Sequence, residues 1–99
     1  MGVLAMLELD GETEPLLAAV ADLGQRLGDP DGLLARIVAP TNDGMVLFQL
    51  WASAAARQAN ADDPHHAEAL RDCGVLDLMR ASRSRVFEDA QLETFTSRA

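Results

Sequence analysis

The sequence predicts an α+β domain in which a four-stranded antiparallel sheet carries two helices on one face. Strand and helix patterns follow one another in the order β-α-β-β-α-β, and the third strand pattern, residues 45–51 (MVLFQLW), is apolar on both sides apart from Gln49. Successive strand residues point to opposite faces, so both faces of this strand must be shielded from water. A chain of 99 residues supplies enough helix for one face only. We therefore expect a homodimer.

The first half of the chain begins with an apolar run at residues 3–9 (VLAMLEL), which predicts strand one. Thr13, followed by Glu14 and Pro15, is typical of a helix start, with Thr13 as the N-cap. The turn-forming residues 29–32 (DPDG) end this helix. Its apolar stripe has helical spacing and consists of Leu16, Leu17, Val20, Leu23 and Leu27.

A hairpin and a second helical region follow. Residues 33–39 and 45–51 are joined by the turn-forming segment 40–44 (PTNDG), so we expect strands two and three to pair. Ser53 is the predicted cap of a helix that runs to about Ala61. A break at residues 62–64 restarts a helix that ends near Asp72. The element order is that of a ferredoxin-like split βαβ fold, with residues 1–99 as a single domain.

The last quarter of the chain is open to two interpretations. Residues 85–88, extended as far as Phe95 in one version, predict the final strand. Leu76, Leu78 and Met79 could instead extend the preceding helix. In either case residues 90–95 could form an arm that is exchanged between subunits.

Composition restricts the classes of function. The net charge is −8, and all eight basic residues are Arg, in an Ala-rich pattern typical of a high-GC bacterial genome. A dispersed acidic surface repels phosphate, so we expect neither nucleic acid nor an anionic membrane as a partner. Cys73 is the only cysteine, and there is no signal-peptide pattern and no long apolar run. We expect a cytoplasmic protein, with Cys73 as a small buried hydrophobe.

Three segments carry a resemblance to a known family: the opening VLAMLELDG, the hairpin DGLLARIVAPTNDGMVLFQLWAS, and PHHAEALRDCG. They resemble dimeric α/β-barrel proteins, and within that superfamily they are most similar to the antibiotic-biosynthesis-monooxygenase-like branch. The likeness spans roughly residues 3–95. It is strongest where Trp51 and Ser53 precede an Ala-rich helix and then Pro64 and His65.

The resemblance implies two ferredoxin-like protomers whose sheets form one barrel, with a ligand cleft between the sheet and the helices of each protomer. Such proteins include cofactor-independent oxygenases, haem-degrading enzymes, isomerases and proteins of unknown role. By alignment from Trp51, haem-degrading relatives would carry a Trp near position 60 and a His near position 70, where this chain has Asn60 and Leu70. That difference argues against haem degradation.

Candidate catalytic residues are His65, Asn60 and Arg36. His65 and His66 differ by about 100° around a helix, which disfavours joint metal binding, so we expect no metal site. A surface or structural role is the main alternative for His65, and the resemblance favours it over His66 as a pocket residue. Asn60 could hydrogen-bond a ligand carbonyl or phenol, or lie on a helix surface. Arg36 could orient an anionic ligand, or lie at a sheet edge with its guanidinium in water.

Candidate substrate-binding residues are Trp51 and Gln49. Trp51 could stack on an aromatic ligand, or be a packing anchor whose indole N–H finds one partner. Gln49 could share the ligand cleft or satisfy a backbone group. The arginines at 71, 80, 83 and 85 are expected to be solvated, or to pair across the dimer interface.

The sequence contains no phosphate-binding glycine loop and no dinucleotide or flavin motif, so we expect no cofactor. These observations predict a cofactor-independent monooxygenase-like enzyme for an aromatic or polyketide-type substrate. In it a polar group would stabilise a substrate anion that reduces oxygen directly. The alternative is a non-catalytic protein that binds a small apolar or aromatic ligand on the same dimeric barrel.

Overall fold

A computed structural model describes residues 2–95 and has the predicted element order. Two helical segments, α2 and α3, and the short α4 together occupy the place of the second helix. The elements are β1 (Gly2–Asp10), α1 (Thr13–Leu27), β2 (Leu33–Thr41), β3 (Gly44–Trp51), α2 (Ala54–Asp62), α3 (Pro64–Asp72), α4 (Val75–Leu78) and β4 (Ala81–Ala90).

The four strands form one antiparallel sheet in the order β2-β3-β1-β4. β1 lies in the middle, where Leu7 is opposite Leu47 of β3 on one side and Ser84 of β4 on the other. β2 and β4 are the edges. This arrangement confirms the ferredoxin-like α+β prediction.

One face of the sheet packs on the helices and holds the core. Alternate residues of the two central strands, Leu9, Met45 and Leu47 among them, meet Leu16 and Val20 of α1. Leu16 is completely buried. The apolar stripe predicted for α1 is thus the element that covers β1 and β3.

The opposite face carries no helix. By strand register its residues include Leu4, Met6, Ile37, Phe48 and Phe87. Ile37 is 60% exposed, and Phe87 is also exposed. The prediction that helices cover only one face of the sheet is therefore confirmed.

Helix ends agree with the sequence at α2 and α3 and differ at α1. The Ser53 hydroxyl accepts a hydrogen bond from Ala56 N, as expected for an N-cap, and the Asp63 carboxylate accepts one from His65 N. At α1 the N-cap is Glu12, without a side-chain cap, so the assignment of Thr13 was wrong. Its hydroxyl donates instead to the carbonyl oxygen of Thr41, 2.8 Å away, and ties the helix start to the end of β2.

The last strand is longer and begins earlier than predicted, at Ala81 instead of residue 85, and it ends at Ala90, short of Phe95. Pairing with β1 along its length explains the early start, because the central strand offers hydrogen-bonding partners opposite residues of low strand propensity. Leu76 and Leu78 lie in α4, which Gly74 separates from α3 by adopting a left-handed conformation with φ 84°. Residues 91–95 are neither helix nor strand, and the predicted exchange of this arm remains a prediction. Residues 96–99, the end of the predicted 75–99 region, lie outside the described residues.

The β2–β3 turn depends on Gly44. This residue has φ 156° and lies opposite Asp10 in the sheet. A Cβ atom at this position would overlap the carbonyl oxygen of Leu9. Glycine is therefore required by the close approach of β1.

Candidate functional site

An apolar cleft of about 210 Å³ lies between the sheet and the helices. Its floor comes from the helix-facing residues of β1, β3 and β4, and its walls come from α1, α3 and α4. Of its ten lining residues only Ser82 is polar. The others are Leu7, Leu9, Val20, Leu23, Leu47, Leu70, Val75, Leu76 and Met79.

A smaller space of about 130 Å³ adjoins this cleft and shares Leu7 and Leu47 with it. Here the lining is mixed and includes four polar side chains: Gln49 of β3, Arg57 of α2, and Ser84 and Arg85 of β4. We call the two spaces together the sheet groove: an apolar part bounded by α4 and a polar end beside α2. The groove follows β4, whose helix-facing residues are exposed because the helices do not extend over this edge strand.

Neither Gln49 nor Arg57 uses its side chain in a hydrogen bond or ion pair with another described residue; the side-chain bonds of residues 2–95 are made elsewhere. Both residues are half-buried. The first turn of α2 contains no acidic residue that would neutralise Arg57. The polar end of the sheet groove therefore has hydrogen-bonding capacity that the described chain does not use.

A second cleft of about 360 Å³, which we call the outer cleft, lies between the α1–β2 connection and the helices α2 and α3. It brings together two predicted site residues, Asn60 and His65, with His66, Asp63 and Asp31. It shares no lining residue with the sheet groove.

His65 connects two helices. Its Nε2 lies 2.9 Å from the carbonyl oxygen of Arg26, in the last turn of α1, and its backbone N–H donates to Asp63. Because a carbonyl oxygen only accepts, Nε2 must carry the proton. In the neutral ring Nδ1 is then an acceptor, which is what a general base requires.

Trp51 is buried at the end of β3 and lines neither the sheet groove nor the outer cleft. The interpretation of Trp51 as a packing anchor expected one partner for its indole N–H. Among the residues that the structure describes, Nε1 has no hydrogen-bond partner. The ring fills the space beneath the helices at the cost of an unsatisfied donor.

Arg36 lies on the edge strand β2, which is why its charge is tolerated in an apolar strand. One guanidinium nitrogen is 3.4 Å from the carbonyl oxygen of Val20, and the group lies against Gly24 of α1. A Cβ atom at Gly24 would overlap Nη1 of Arg36. The guanidinium thus lies across the backbone of α1, and Arg36 lines neither the sheet groove nor the outer cleft.

The structure therefore separates the five predicted site residues. Asn60 and His65 share the outer cleft, Gln49 lies in the sheet groove, and Trp51 and Arg36 lie elsewhere. Sequence reasoning missed Arg57 and the apolar walls of the sheet groove. Two signals for this site were available in the sequence. They are the lone cation Arg57 in an Ala-rich helix and the pattern Ser82-x-Ser84 in an edge strand.

The helix-free face carries a charged cluster at one end of the sheet. Arg83 donates from Nη2 to a Glu8 oxygen at 2.9 Å and from Nη1 to an Asp10 oxygen at 3.2 Å. The hydrogen bonds to Glu8 and then to Asp10 raise the pKa of Arg83 above its ordinary value. Of the arginines predicted to be solvated or paired across subunits, Arg83 is thus paired within the chain.

Within residues 2–95 no group of three or more His, Cys, Asp or Glu side chains is close enough to hold a metal ion. No helix in this part of the chain has the length and apolar character needed to cross a membrane.

Comparison with solved structures gives fold relatives over nearly the whole chain. A protein from Chloroflexus aurantiacus, described as a candidate antibiotic biosynthesis monooxygenase, superposes with TM-score 0.76 at 15% identity, covering 95% of this chain and 98% of its own. SnoaB from Streptomyces nogalater, described as a cofactor-independent oxygenase, gives 0.69 at 18% identity, with 92% and 95% covered. A dimeric ferredoxin-like protein of unknown function from Jannaschia gives 0.67 at 17%, with 89% and 99% covered.

No protein-family model and no curated protein matches the sequence. The structural relatives include several proteins described as antibiotic biosynthesis monooxygenases, the branch that the sequence segments resemble. At these identities the likeness establishes the fold and leaves the reaction to be argued from the site. The chain thus shares the ferredoxin-like fold of antibiotic biosynthesis monooxygenase-type proteins.

Proposed function

We propose that this chain is a cofactor-independent oxygenase-type enzyme that binds an aromatic or polyketide-type substrate in the sheet groove. The observation that carries the proposal is the apolar cleft of about 210 Å³ between the sheet and the helices. An apolar protein cavity of about 150 Å³ accommodates benzene, so this cleft has room for a larger ring system. The descriptions of SnoaB and the Chloroflexus protein support the same reaction class.

The chemistry needs an electron-rich substrate anion, such as that of an anthrone. The anion transfers one electron to O₂, and the substrate radical and superoxide combine to a peroxide at the same carbon. Loss of water then converts the methylene carbon to a carbonyl, so one oxygen atom enters the product and the other leaves as water. An apolar cleft favours this sequence because it excludes water from the radical pair.

Among the residues predicted from sequence, Gln49 lies where it could orient the substrate, because it lines the polar end of the groove. Catalytic roles for Asn60 and His65 require that the substrate, or part of it, occupy the outer cleft. Roles for Arg36 and Trp51 require a substrate that reaches beyond both spaces. Single substitutions Gln49→Leu, Asn60→Ala and His65→Gln test these assignments separately.

We infer that the helix-free face is covered by a second copy of the chain. Ile37 and Phe87 expose apolar surface on this face, and the Jannaschia and Bacteroides fragilis relatives are described as dimeric. A face-to-face pair would bury both copies of the same surface, as a two-fold dimer requires. Light scattering at micromolar concentration tests the inference, and a monomeric mass would contradict it.

The test of the oxygenase proposal is oxygen uptake by the metal-stripped protein with anthrones, quinols and catechols. We expect uptake above the protein-free rate for at least one of these substrates. Leu76→Trp should suppress it, because Leu76 lines the apolar cleft and is 46% exposed, so a larger ring is accommodated without unfolding. Leu78→Trp is the matched control, since Leu78 lies in the same short helix, is 39% exposed and does not line the groove.

A non-catalytic ligand-binding protein is the second candidate. The observation that favours it is the absence of any His, Cys, Asp or Glu from the described lining of the sheet groove, which leaves no side chain there to accept a proton. Thermal stabilisation by aromatic ligands without oxygen uptake would favour binding over turnover.

A further inference from the structure

We propose that Arg57, with Gln49 beside it, forms a binding site for an anionic group at the polar end of the sheet groove. The ligand would be an amphipathic anion: a flat apolar ring system with one carboxylate, sulfonate or ionised phenol. This inference rests on the proposed use of the groove as a ligand site. Beyond that proposed use, the inference specifies the charge of the ligand and its orientation in the groove.

The Arg57 side chain is left without a charged partner among the described residues. The residue is half-buried and makes no ion pair or side-chain hydrogen bond with any described residue, although the chain has 16 acidic residues and a net charge of −8. A guanidinium that is partly withdrawn from water gains most from a planar anion, to which it can donate two parallel hydrogen bonds.

The position of Arg57 near the start of α2 also favours an anionic partner. It lies in the first turn of a nine-residue helix, where the helix dipole is positive and disfavours a cation. No acidic residue in that turn offsets this charge. An anion bound at Arg57 would relieve both the local repulsion and the partial desolvation.

The polarity of the lining changes along the sheet groove. The apolar part has a single polar lining residue, Ser82, whereas the adjoining end contains Gln49, Arg57, Ser84 and Arg85. Leu7 and Leu47 line both parts, so the two spaces are neighbours on β1 and β3, and the proposed ligand would extend across both. Such a groove orients its ligand with the ring system toward Leu76 and Met79 and the anionic group toward Arg57.

A pair of fluorescent probes that differ in one sulfonate tests the proposal: 1-anilinonaphthalene-8-sulfonate and the neutral N-phenyl-1-naphthylamine. We expect Arg57→Gln to weaken binding of the sulfonate probe by about tenfold or more and to leave the neutral probe unchanged. Arg57→Lys should give an intermediate loss, because the charge stays and the paired donors are lost. Arg71→Gln, an exposed change of equal charge on α3, is the control and should affect neither probe.

Leu76→Trp locates the probes and separates this inference from the proposed function. If it weakens both probes and Arg57→Gln weakens neither, the apolar cleft is a ligand site and the anion site is refuted. If Leu76→Trp weakens neither probe, the probes bind elsewhere, and both the proposed groove and its anion site fail. Circular dichroism of each variant confirms that α2 and the sheet are intact.

Discussion

The two faces of the sheet are built from the same strands, and they differ in what covers them. On one face Leu9, Met45 and Leu47 are buried against α1 and the short α4. On the other, Ile37 of β2 and Phe87 of β4 remain exposed. In the central strands β1 and β3, apolar residues point to both faces of the sheet, so for these strands the difference in covering arises from the helices and not from strand composition.

A surface that resembles a core is thus left uncovered by the helices of one chain. The helix-free face also carries the charged cluster of Arg83, Glu8 and Asp10. Because its partners lie in the same chain, Arg83 needs no partner across an interface. In the proposed dimer the apolar centre of this face would drive association, and the paired charges lie at one end of it.

The largest expected effect is on the covered face. Leu16→Ala removes a fully buried side chain from the contact between α1 and the sheet, and should lower the free energy of unfolding by about 2–5 kcal/mol. Urea denaturation measures the loss. Leu17→Ala, one position along the same helix and only half-buried, is the control and should lose less.

The uncovered face is tested by Ile37→Asp, which places a charge on the proposed dimer interface. We expect the dimer to weaken by at least about tenfold, measured by analytical ultracentrifugation, since an unpaired charge is costly to bury. Val38→Asp is the matched control: Val38 is the next residue, points to the helix side of the sheet and is 41% exposed. Equal weakening by both changes would refute the assignment of the interface to the helix-free face.

A smaller effect on stability is expected at the N-terminus of α2, one of the helices on the covered face. Ser53→Ala removes the side chain that caps α2 and should cost about 1 kcal/mol in thermal or urea unfolding. Ser53→Asp keeps an acceptor at the same place and should cost much less. If the two variants were equally destabilised, the loss would have to come from packing of Ser53 and not from capping.

The smallest expected effect tests the contact between Arg36 and α1. Gly24→Ala should improve helix propensity by about 1 kcal/mol, but the added methyl displaces the Arg36 guanidinium, so the net change should be close to zero. In an Arg36→Ala background the full gain should appear. A double-mutant cycle by urea denaturation measures the coupling, and additivity would show that the guanidinium does not constrain Gly24.

Much of the fold could be predicted from sequence because its signals are local. The apolar stripe of α1, the PTNDG turn and the Ser53 cap each depend on residues within a few positions of one another. The predictions were wrong where a residue contacts an element that is distant in the sequence. Thr13 donates to Thr41 instead of capping its helix, and β4 starts early because β1 pairs with it from Asp10 onward.

The candidate site was less predictable than the fold, because its residues come from elements that are distant in the sequence. His65, Asn60 and Trp51 stand out as residue types, yet they do not line the sheet groove, whereas Leu70, Leu76 and Arg57 are unremarkable in the sequence and do. Which side chains meet depends on where α2, α3 and α4 cross the sheet.

By itself the sequence determined the order of the elements, the antiparallel hairpin and an apolar surface too large for one helical layer, since periodicity and turn chemistry act over short distances. Only the tertiary structure decided which face Gln49 and Arg36 occupy, because a shift of one residue in strand register exchanges the two faces of a sheet. It also decided that Arg57 lies at the polar end of an otherwise apolar groove. That juxtaposition joins residues from three separate elements, and no local pattern encodes it.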